Sequence, residues 1–334
     1  MKIYLIDPNK KWQKANLHCH TNNSDGFYSP EEIKKYYMAQ GYSVVAYTDH
    51  ELIYDNSNLC DENFIAVTAS EFSIVEERNW RDAKAIHFSL FAKDPHNILH
   101  PATKLEDINP YFKNKYKGEI KCDGYHREYT KESIQELINL ANKKGFLVQL
   151  NHPSWSLLTK EDYIDLKGLW SLEVLNYLTE IETGTEYCIN IYEDMLRNGT
   201  KLNCTMGDDN HNYNGGFEGS FGAYNYIGVD KLTYSEIIKA MENGNIYATN
   251  GPVIKSLYFD TELNKLYIEC SNATDIILTG KNRVSRHYHG DNLTYCEFDV
   301  YESDVYFRVT IKDMYGKVAH THAYYLDDYD FKFR

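Results

Sequence analysis

The stretch KANLHCH, residues 14–20, ends in two histidines separated by one residue, and six similar apolar stretches follow it. They read SVVAYTDH at 43–50, FIAVTASEF at 64–72, KAIHFSLF at 84–91, FLVQLNHP at 146–153, LWSLEVLN at 169–176 and KLNCTMGDD at 201–209. Between residues 16 and about 252 these runs alternate with amphipathic helical segments, a pattern typical of parallel α/β architecture. Seven runs predict a barrel.

Two segments depart from this alternation. Residues 94–129 combine charges, prolines and tyrosines with little periodicity, which predicts an insertion over one end of the barrel. After the Asn-Gly-Pro turn at 250–252 the helical segments stop and short alternating strands follow, which predicts a small β-sandwich. We therefore expect one large α/β barrel over residues 1–252, with the insertion at about 94–129, and a β-sandwich domain over 253–334.

Composition narrows the class of protein. The 334 residues are 43% hydrophobic and 25% charged, which is typical of a globular chain with a substantial core. The net charge of −14 argues against general nucleic-acid binding, because such binding needs a stripe of Lys and Arg. No run has the length of a signal peptide or membrane span, and the seven cysteines lack CxxC spacing. We expect a cytoplasmic protein with reduced thiols and no membrane partner; a homo-oligomer is possible.

Metal-ligand residue types follow nearly every predicted strand. Side chains two apart in an extended segment share a face, so His18 and His20 can face one ion. In a barrel the loops after the strands converge on one mouth. The residues that reach this mouth are His18, His20, Asp25, His50, Glu71, His87, His152, Asp209 and His211.

A single histidine on a strand is more often a structural residue than a ligand. Several strands that deliver His, Asp or Glu to the same end are different, because buried and uncompensated polar groups are costly and cations offset that cost. The nine residues therefore predict a cluster of divalent ions.

The histidines outside this predicted cluster are not interpreted as metal ligands. The pairs His287 with His289 and His320 with His322 have the same spacing but lack neighbouring strand-end carboxylates, so we interpret them as surface residues. The insertion histidines His96, His100 and His126 are interpreted as solvated, with contact to substrate as a minority alternative.

The order HxH, TDH, strand-end Glu, isolated His, NHP and GxDxH resembles the polymerase and histidinol phosphatase (PHP) superfamily over residues 16–252. HCHTNNSDG and the pairing of SEFS with AIHFSLF look like its nucleotide and oligonucleotide phosphoesterases. GNIYATNGPVI and the β-rich tail look more like CehA/McbA-type metallohydrolases, a group that includes carbamate hydrolysis. The resemblance implies a distorted (β/α)7 PHP-type barrel in the α/β class.

The resemblance also implies how the ligands are shared. It gives one ion to His18, His20, Glu71 and Asp209, and a second to Glu71, His87 and His152, with Glu71 bridging. Asp25, His50 and His211 would frame a third position. Many relatives have a histidine where Asp25 stands, so the number of ions is two or three.

Imidazole and carboxylate ligands together favour Zn²⁺, Mn²⁺ or Fe²⁺. Such ions generate hydroxide near neutral pH, so no Ser or Cys nucleophile is required. Catalysis would then depend on Glu71 and Asp209, with His50 and His211 stabilising or protonating the leaving oxygen. The remaining polar residues near the predicted site are assigned as follows: Arg78, Arg81 and Lys84 as possible substrate cations, and Asp49, Asp208, Glu173 and Asn176 as either supports of the ligands or ordinary turn and cap residues.

Three functions are consistent with this pattern. The first is hydrolysis of a small phosphate monoester or diester by a metal-activated hydroxide. The second is hydrolysis of a carbamate or carboxyl ester, which needs no cationic clamp for the substrate. The third is a non-catalytic metal-binding module, which the intact set of nine candidate ligands argues against.

Overall fold

The computed structural model describes residues 1–79 and 81–329, and within them it contains a sixteen-stranded mixed sheet and seven α-helices. The strands are β1 Lys2–Ile6, β2 Lys11–Asn16, β3 Val44–Tyr47, β4 Ile65–Val75, β5 Ala85–Ala92, β6 Phe146–Leu150, β7 Ser171–Asn176, β8 Asn203–Gly207, β9 Tyr224–Val229, β10 Ile246–Thr249, β11 Ile254–Asp260, β12 Lys265–Gly280, β13 Arg286–Asp299, β14 Tyr306–Lys312, β15 Val318–Thr321 and β16 Tyr324–Tyr325. The helices are α1 Pro30–Ala39, α2 Pro110–Lys115, α3 Lys131–Lys143, α4 Lys160–Tyr163, α5 Tyr177–Thr183, α6 Ile189–Arg197 and α7 Tyr234–Glu242.

All seven predicted barrel runs form strands, β2 to β8, which are neighbours in sequence order. The pairs β2–β3, β3–β4, β6–β7 and β7–β8 are parallel, as predicted. An added strand, β9, pairs antiparallel with β2 and continues the sheet toward the C-terminal strands. The mixed α/β class is therefore correct, whereas a closed (β/α)7 barrel stays a prediction; strands β2–β8 are called the barrel below.

One barrel strand runs against the prediction of a parallel (β/α)7 repeat. β5 pairs antiparallel with both β4 and β6. Only residues 76–84 separate β4 from β5, fewer than the dozen or so residues that a parallel crossover needs. Because β5 is reversed, His87 near its start lies at the same mouth as residues that follow the parallel strands.

Helix ends are encoded locally. The Ser29 hydroxyl accepts a hydrogen bond from the Glu32 backbone N–H, and the Glu32 carboxylate accepts one from the Ser29 backbone N–H, which forms a complete capping box ahead of α1. Thr233 accepts a hydrogen bond from the Glu236 backbone N–H at the start of α7. Buried apolar faces such as that of α3 then pack onto the strands, with Leu137 fully buried.

The C-terminal strands are longer than predicted. The apolar runs KLYIEC at 265–270 and DIILTG at 275–280 are predicted as separate strands. In the structure they form the two halves of one strand, β12, which pairs with β13 in a long hairpin. The first half of β12 also pairs with β11 and the second half with β14, so the hairpin bends around a second core. This core is joined to the barrel by the pairing of β15 with β10.

The N-terminal strand belongs to the same region, since β1 pairs antiparallel with β11. A division at residue 252 into a barrel and a β-sandwich stays a prediction, and residues 330–334 of the second unit lie outside the described residues. Within the part of the chain that the structure describes, no helix combines the length and apolar character required to span a membrane.

Three histidines are placed differently from the interpretation of the sequence. His320 is buried rather than on the surface, because its ring nitrogens face Tyr187 Oη at 2.7 Å and Thr310 Oγ1 at 2.9 Å where the C-terminal strands pack on the barrel. His322 is half-buried against Tyr324. His100 is buried rather than solvated, because its Nε2 accepts a hydrogen bond from the Ile53 backbone N–H at 2.9 Å.

The other predictions for isolated histidines are correct. His287 and His289 are exposed, as are the insertion residues His96 and His126. The two insertion histidines face the carboxylates of Asp55 and Asp107 respectively.

Candidate metal centre

The structure brings the nine predicted ligand residues together at one mouth of the barrel. They come from the ends of β2, β3, β6 and β8 and from β4 and β5, and include His18, His20, Asp25, His50, Glu71, His87, His152, Asp209 and His211. Glu71 does not end its strand as predicted. It lies where β4 leaves β3 and begins to pair with β5.

The Glu71 carboxylate lies at the middle of the cluster. Its Oε1 is 3.0 Å from His152 Nε2, 3.2 Å from His87 Nδ1 and 3.4 Å from His18 Nε2. Its Oε2 is 3.3 Å from His50 Nδ1 and 3.5 Å from His20 Nε2. A carboxylate with imidazoles around both oxygens is placed to bridge two cations.

Asp209 forms the second carboxylate of the cluster. Its Oδ1 is 3.0 Å from His20 Nε2 and 3.2 Å from His18 Nε2. Together these three side chains form one group whose ligand atoms all lie within 4.8 Å of one another, and His18, Glu71 and His152 form another. The first group matches the first ion that the PHP resemblance implies, whereas the second contains His18 where the resemblance places His87.

A third group lies on the more exposed side. It combines Asp25, His50 and His211 with His20, whose other ring nitrogen, Nδ1, is 3.7 Å from Asp25 Oδ1. Asp25 Oδ1 is also 3.4 Å from His211 Nε2, and Asp25 Oδ2 is 3.6 Å from His50 Nε2. The sequence did not indicate that His20 belongs to two groups.

Unsatisfied polar atoms are concentrated in this cluster. Five buried atoms have no hydrogen-bond partner: His18 Nε2, His20 Nδ1, His20 Nε2, His87 Nδ1 and Asp209 Oδ1. An unpaired buried polar group costs about 1–3 kcal/mol, and more when it is charged. Divalent cations would satisfy these lone pairs at once, so the donor set fits metal ions.

Burial and charge pull the pKa values of the cluster in opposite directions. Burial raises the pKa of Glu71, but the surrounding imidazoles of His87 and His18 outweigh it and hold that pKa well below its ordinary value. Burial lowers the pKa of His152, but Glu71 and Asp209 outweigh it and raise that pKa to about 9. Protons and cations therefore compete for the same nitrogen atoms.

The backbone is strained at the same place. Positive φ angles occur at His152 (22°), Asp209 (54°) and Glu51 (63°), the residue after His50. Residues other than glycine rarely adopt such angles, and they persist only where surrounding contacts impose them. The strain turns these ligands or their neighbours toward the mouth.

Glu173 and Asn176 support the ligands directly. Glu173 Oε1 lies 3.0 Å from His18 Nδ1, and its Oε2 accepts a hydrogen bond from the His152 backbone N–H. Asn176 donates to Asp209 Oδ2 at 3.1 Å and also caps α5 through Thr179 N–H. Both alternatives from the sequence apply to Asn176.

Asp49 and Asp208 bind the backbone rather than the cluster. Asp49 accepts hydrogen bonds from the Thr21 backbone and from the Ser24 hydroxyl, which fixes the loop after His20. Asp208 accepts from the backbone N–H groups of residues 221–223. Burial of Asp208 raises its pKa to about 6.

A cavity of about 200 Å³ opens onto the cluster. Beyond the ligands its lining includes Trp155, Leu178, Thr179, Glu182 and Tyr213. The Tyr213 ring stacks on His211 with centroids 5.2 Å apart, and Trp155 lies edge-on to His152 at 5.1 Å. Two half-exposed aromatic rings thus stand beside the metal cluster.

The predicted substrate cations do not reach this cavity. Arg78 pairs with Glu76, and Lys84 pairs with Asp162 at 2.6 Å. Arg81 is exposed and is also outside the lining, which contains no Lys or Arg among the described residues.

The insertion packs against the third group. The Phe112 ring of α2 lies 5.6 Å from the His50 ring, and Lys115 donates to backbone carbonyls of the Asp25 loop at Asn22 and Ser24. Sequence reasoning missed Phe112, for which there was no periodic signal. It also missed Trp155 and Tyr213, although each follows a predicted ligand within three residues.

Comparison with known proteins gives only distant similarity. No family model and no curated protein matches the sequence. A two-domain protein from Bacteroides vulgatus ATCC 8482, containing a predicted PHP-like metal-dependent phosphoesterase, is 13% identical over 96% of both chains with a TM-score of 0.44.

Two further solved structures cover less of this chain. A candidate metal-dependent phosphoesterase from Bifidobacterium adolescentis ATCC 15703 is 18% identical over 61% of this chain and 89% of its own, with a TM-score of 0.40. An amidohydrolase from Chromobacterium violaceum with bound sulfate is 14% identical over 70% of this chain and 96% of its own, with a TM-score of 0.39.

Proposed function

We propose that this chain is a metal-dependent hydrolase that cleaves a small phosphate monoester or diester. The observation that carries the proposal is the group of five unsatisfied buried ligand atoms around Glu71 and Asp209. Such a set would be strongly destabilising unless cations are bound, and the strained backbone at His152 and Asp209 holds it in place.

The donor set favours two or three ions of Zn²⁺, Mn²⁺ or Fe²⁺, since it mixes imidazole with carboxylate and contains no thiolate. Cys19, between two ligands, is buried in the apolar cluster around Tyr37 and Tyr47. When bound, the ions would polarise the ester and lower the pKa of a water molecule.

The protein residues would orient and exchange protons. His211 Nδ1 donates to the Asp209 backbone carbonyl at 2.9 Å, which leaves Nε2 facing Asp25 and the cavity. We assign His211 Nε2, together with His50, to stabilising or protonating the leaving oxygen. Trp155 and Tyr213 would position the organic part of the substrate and exclude water from one side.

A second candidate is hydrolysis of a carbamate or carboxyl ester, as in the CehA/McbA-type enzymes that part of the sequence resembles. One observation favours it: the described lining of the cavity is aromatic and acidic, with no Lys or Arg to bind a phosphate. The phosphate hypothesis therefore requires the ions to supply all of the positive charge.

A cytoplasmic location stays a prediction from the cysteine spacing.

A matched substrate panel separates these functions. Purified protein, with Mn²⁺ or Zn²⁺ added, is assayed with p-nitrophenyl phosphate, bis-p-nitrophenyl phosphate, nucleotides and an aryl carbamate. We expect metal-dependent turnover of a phosphate ester that His211→Ala reduces by a factor of about 100 or more. Turnover of the carbamate alone would select the second candidate. No turnover of any substrate by metal-loaded protein would contradict the proposal and favour a binding module.

A further inference from the structure

A second group of ligand residues lies on the C-terminal hairpin. It consists of Asp275 on β12 and His287 and His289 on β13. Among the described residues it is the one group of three or more potential ligands within 4.8 Å of each other that lies outside the metal centre. Both histidines are exposed, in contrast to the buried ligands of the centre.

Both imidazoles converge on one carboxylate oxygen. Asp275 Oδ1 is 2.7 Å from His287 Nε2 and 2.9 Å from His289 Nδ1. The other oxygen, Oδ2, accepts a hydrogen bond from the Thr274 hydroxyl at 2.8 Å, which fixes the orientation of the carboxylate. The two imidazole nitrogens and the carboxylate oxygen therefore lie close enough together to bind one ion without rearrangement of the backbone.

Strand pairing holds the three residues in this arrangement. Asp275 is directly opposite His289, and Ile277 is directly opposite His287, so all three ligands share one face of the hairpin. The register shifts between Ala273 and Asp275, so the strand pairing is irregular next to the cluster. Irregular pairing of this kind can re-aim side chains.

The charge around the cluster suits one divalent ion. Among the described residues, the ion pairs that Asp275 forms within 4 Å are those with the two histidines. Lys312 is opposite Asp275 on the other neighbouring strand, β14. It is an exposed side chain that can turn to solvent.

We propose that Asp275, His287 and His289 form a surface site for a single divalent transition ion. Two imidazoles and one carboxylate, with open positions toward solvent, suit Zn²⁺, Ni²⁺ and above all Cu²⁺. The site is separate from the proposed hydrolase centre and does not depend on its activity. An ion there would link β12 to β13 near the turn that joins the two strands.

The test uses the full chain already loaded with metal at the centre. Zn²⁺ is titrated into this protein by calorimetry, and Cu²⁺ binding is followed by electron paramagnetic resonance. Three proteins are compared: the wild type, the double variant His287→Ala/His289→Ala, and the matched control His96→Ala/His126→Ala. The control removes two exposed histidines that also face a carboxylate, Asp55 and Asp107, but as isolated pairs.

The wild type and the control should bind one further ion, with a Cu²⁺ spectrum that shows nitrogen ligands. The double variant should lose this event, and Asp275→Asn should weaken it by a factor of about 10 or more. Activity toward the best substrate should be the same in all of these proteins, which separates this site from the hydrolase centre. Two results would overturn the proposal: no further ion bound by the wild type, or a further ion that the double variant still binds with unchanged affinity.

Discussion

Glu71 is the residue on which the metal centre depends most. Its two oxygens face five imidazoles, and Asn151 donates to Oε1 at 2.7 Å. Replacing Glu71 by Gln keeps the size of the side chain but removes the bridging charge. We expect the metal content and the turnover to fall together, as measured by elemental analysis and the best phosphate assay. Glu182→Gln, at the mouth of the same cavity, is the matched control and should keep its metal; full activity of the Glu71 variant would refute the bridging role.

Glu173 is a residue that contacts two ligands without belonging to the ligand set, and a substitution there tests whether such contacts affect metal affinity. It fixes the ring of His18 through Nδ1 and the backbone of His152. Partners of this kind typically contribute a factor of about 10–100 in metal affinity or activity. We expect Glu173→Gln to weaken metal binding by that factor in a competition titration against a chelating dye. An affinity equal to that of the wild type would show that Glu173 is only a structural residue.

Gly207 explains how His18 reaches the cluster. A β-carbon at this position would lie 2.7 Å from His18 Cβ and would also overlap Glu173 Oε1. Gly207→Ala should therefore displace both side chains and reduce the metal content, whereas Gly184→Ala, with open space around it, should not. Alanine at 184 would still be strained, since φ is 69°, so its effect should be confined to stability. Equal metal content in the two variants would contradict this account.

Among the elements, the insertion is tied to the barrel by a buried ion pair. Arg127 contacts the carboxylate of Glu51, next to His50, and donates to the Ser73 carbonyl at 3.0 Å. Removing one partner of such a pair typically costs about 3–5 kcal/mol. Arg127→Met should lower the free energy of unfolding by this amount in urea denaturation, and Glu51→Gln in the same chain should restore part of it. An unchanged midpoint for Arg127→Met would contradict the role of the pair.

The same pair predicts a dependence on pH. Burial raises the pKa of Glu51, but Arg127 outweighs it and leaves the pKa below its ordinary value. The stabilisation is therefore fully present above the ordinary pKa of a glutamate, about 4.3, and is lost as the pH falls through the lowered folded-state value. Urea denaturation at several pH values should show the wild type and Arg127→Met converge in acid. A constant difference between them down to low pH would argue against this source of stability.

The strands also show how far sequence reasoning reached. Seven apolar runs predicted seven barrel strands, because each run has the length and residue types of a buried strand. The direction of β5 was not predicted, although the short segment 76–84 carried the signal. The merger of the runs at 265–270 and 275–280 into β12 was not predicted, because Ser271 and Asn272 interrupt the apolar alternation, although the strand continues through them with a shift of register.

The residues at the mouth of the barrel also divide into those that the sequence predicts and those that it does not. Residue type and position on or after the predicted strands indicated the nine side chains that cluster, since barrel geometry brings strand ends together. Glu71 within β4 and His87 near the start of the reversed β5 join the cluster without ending a strand. Phe112 lies on the short helix α2 of the insertion and Tyr213 lies in the segment after β8, and the positions of both depend on tertiary packing, so no periodic pattern identified them. Arg78 and Lys84 illustrate the converse: proximity in sequence to Glu71 did not place them at the cavity.

At the scale of the molecule, a second buried ion pair joins the C-terminal strands to the barrel. Arg308 of β14 pairs with Glu193 of α6, and both side chains are less than one-tenth exposed. Arg308→Met would leave the Glu193 carboxylate without that partner and should cost about 3–5 kcal/mol of stability. The free energy from urea denaturation measures this, and Arg308→Met combined with Glu193→Gln should recover part of the loss. No difference between the single variant and the wild type would show that the contact contributes little.

The claim on which the whole account depends is that the buried cluster at the mouth binds divalent ions. It is tested most directly by elemental analysis of the purified His287→Ala/His289→Ala protein, in which the proposed surface site is absent. The account predicts about two to three equivalents of Zn, Mn or Fe per chain, falling by at least one equivalent when Glu71→Gln is added. Protein that contains no transition metal, and takes up none from added Mn²⁺ or Zn²⁺, would contradict it.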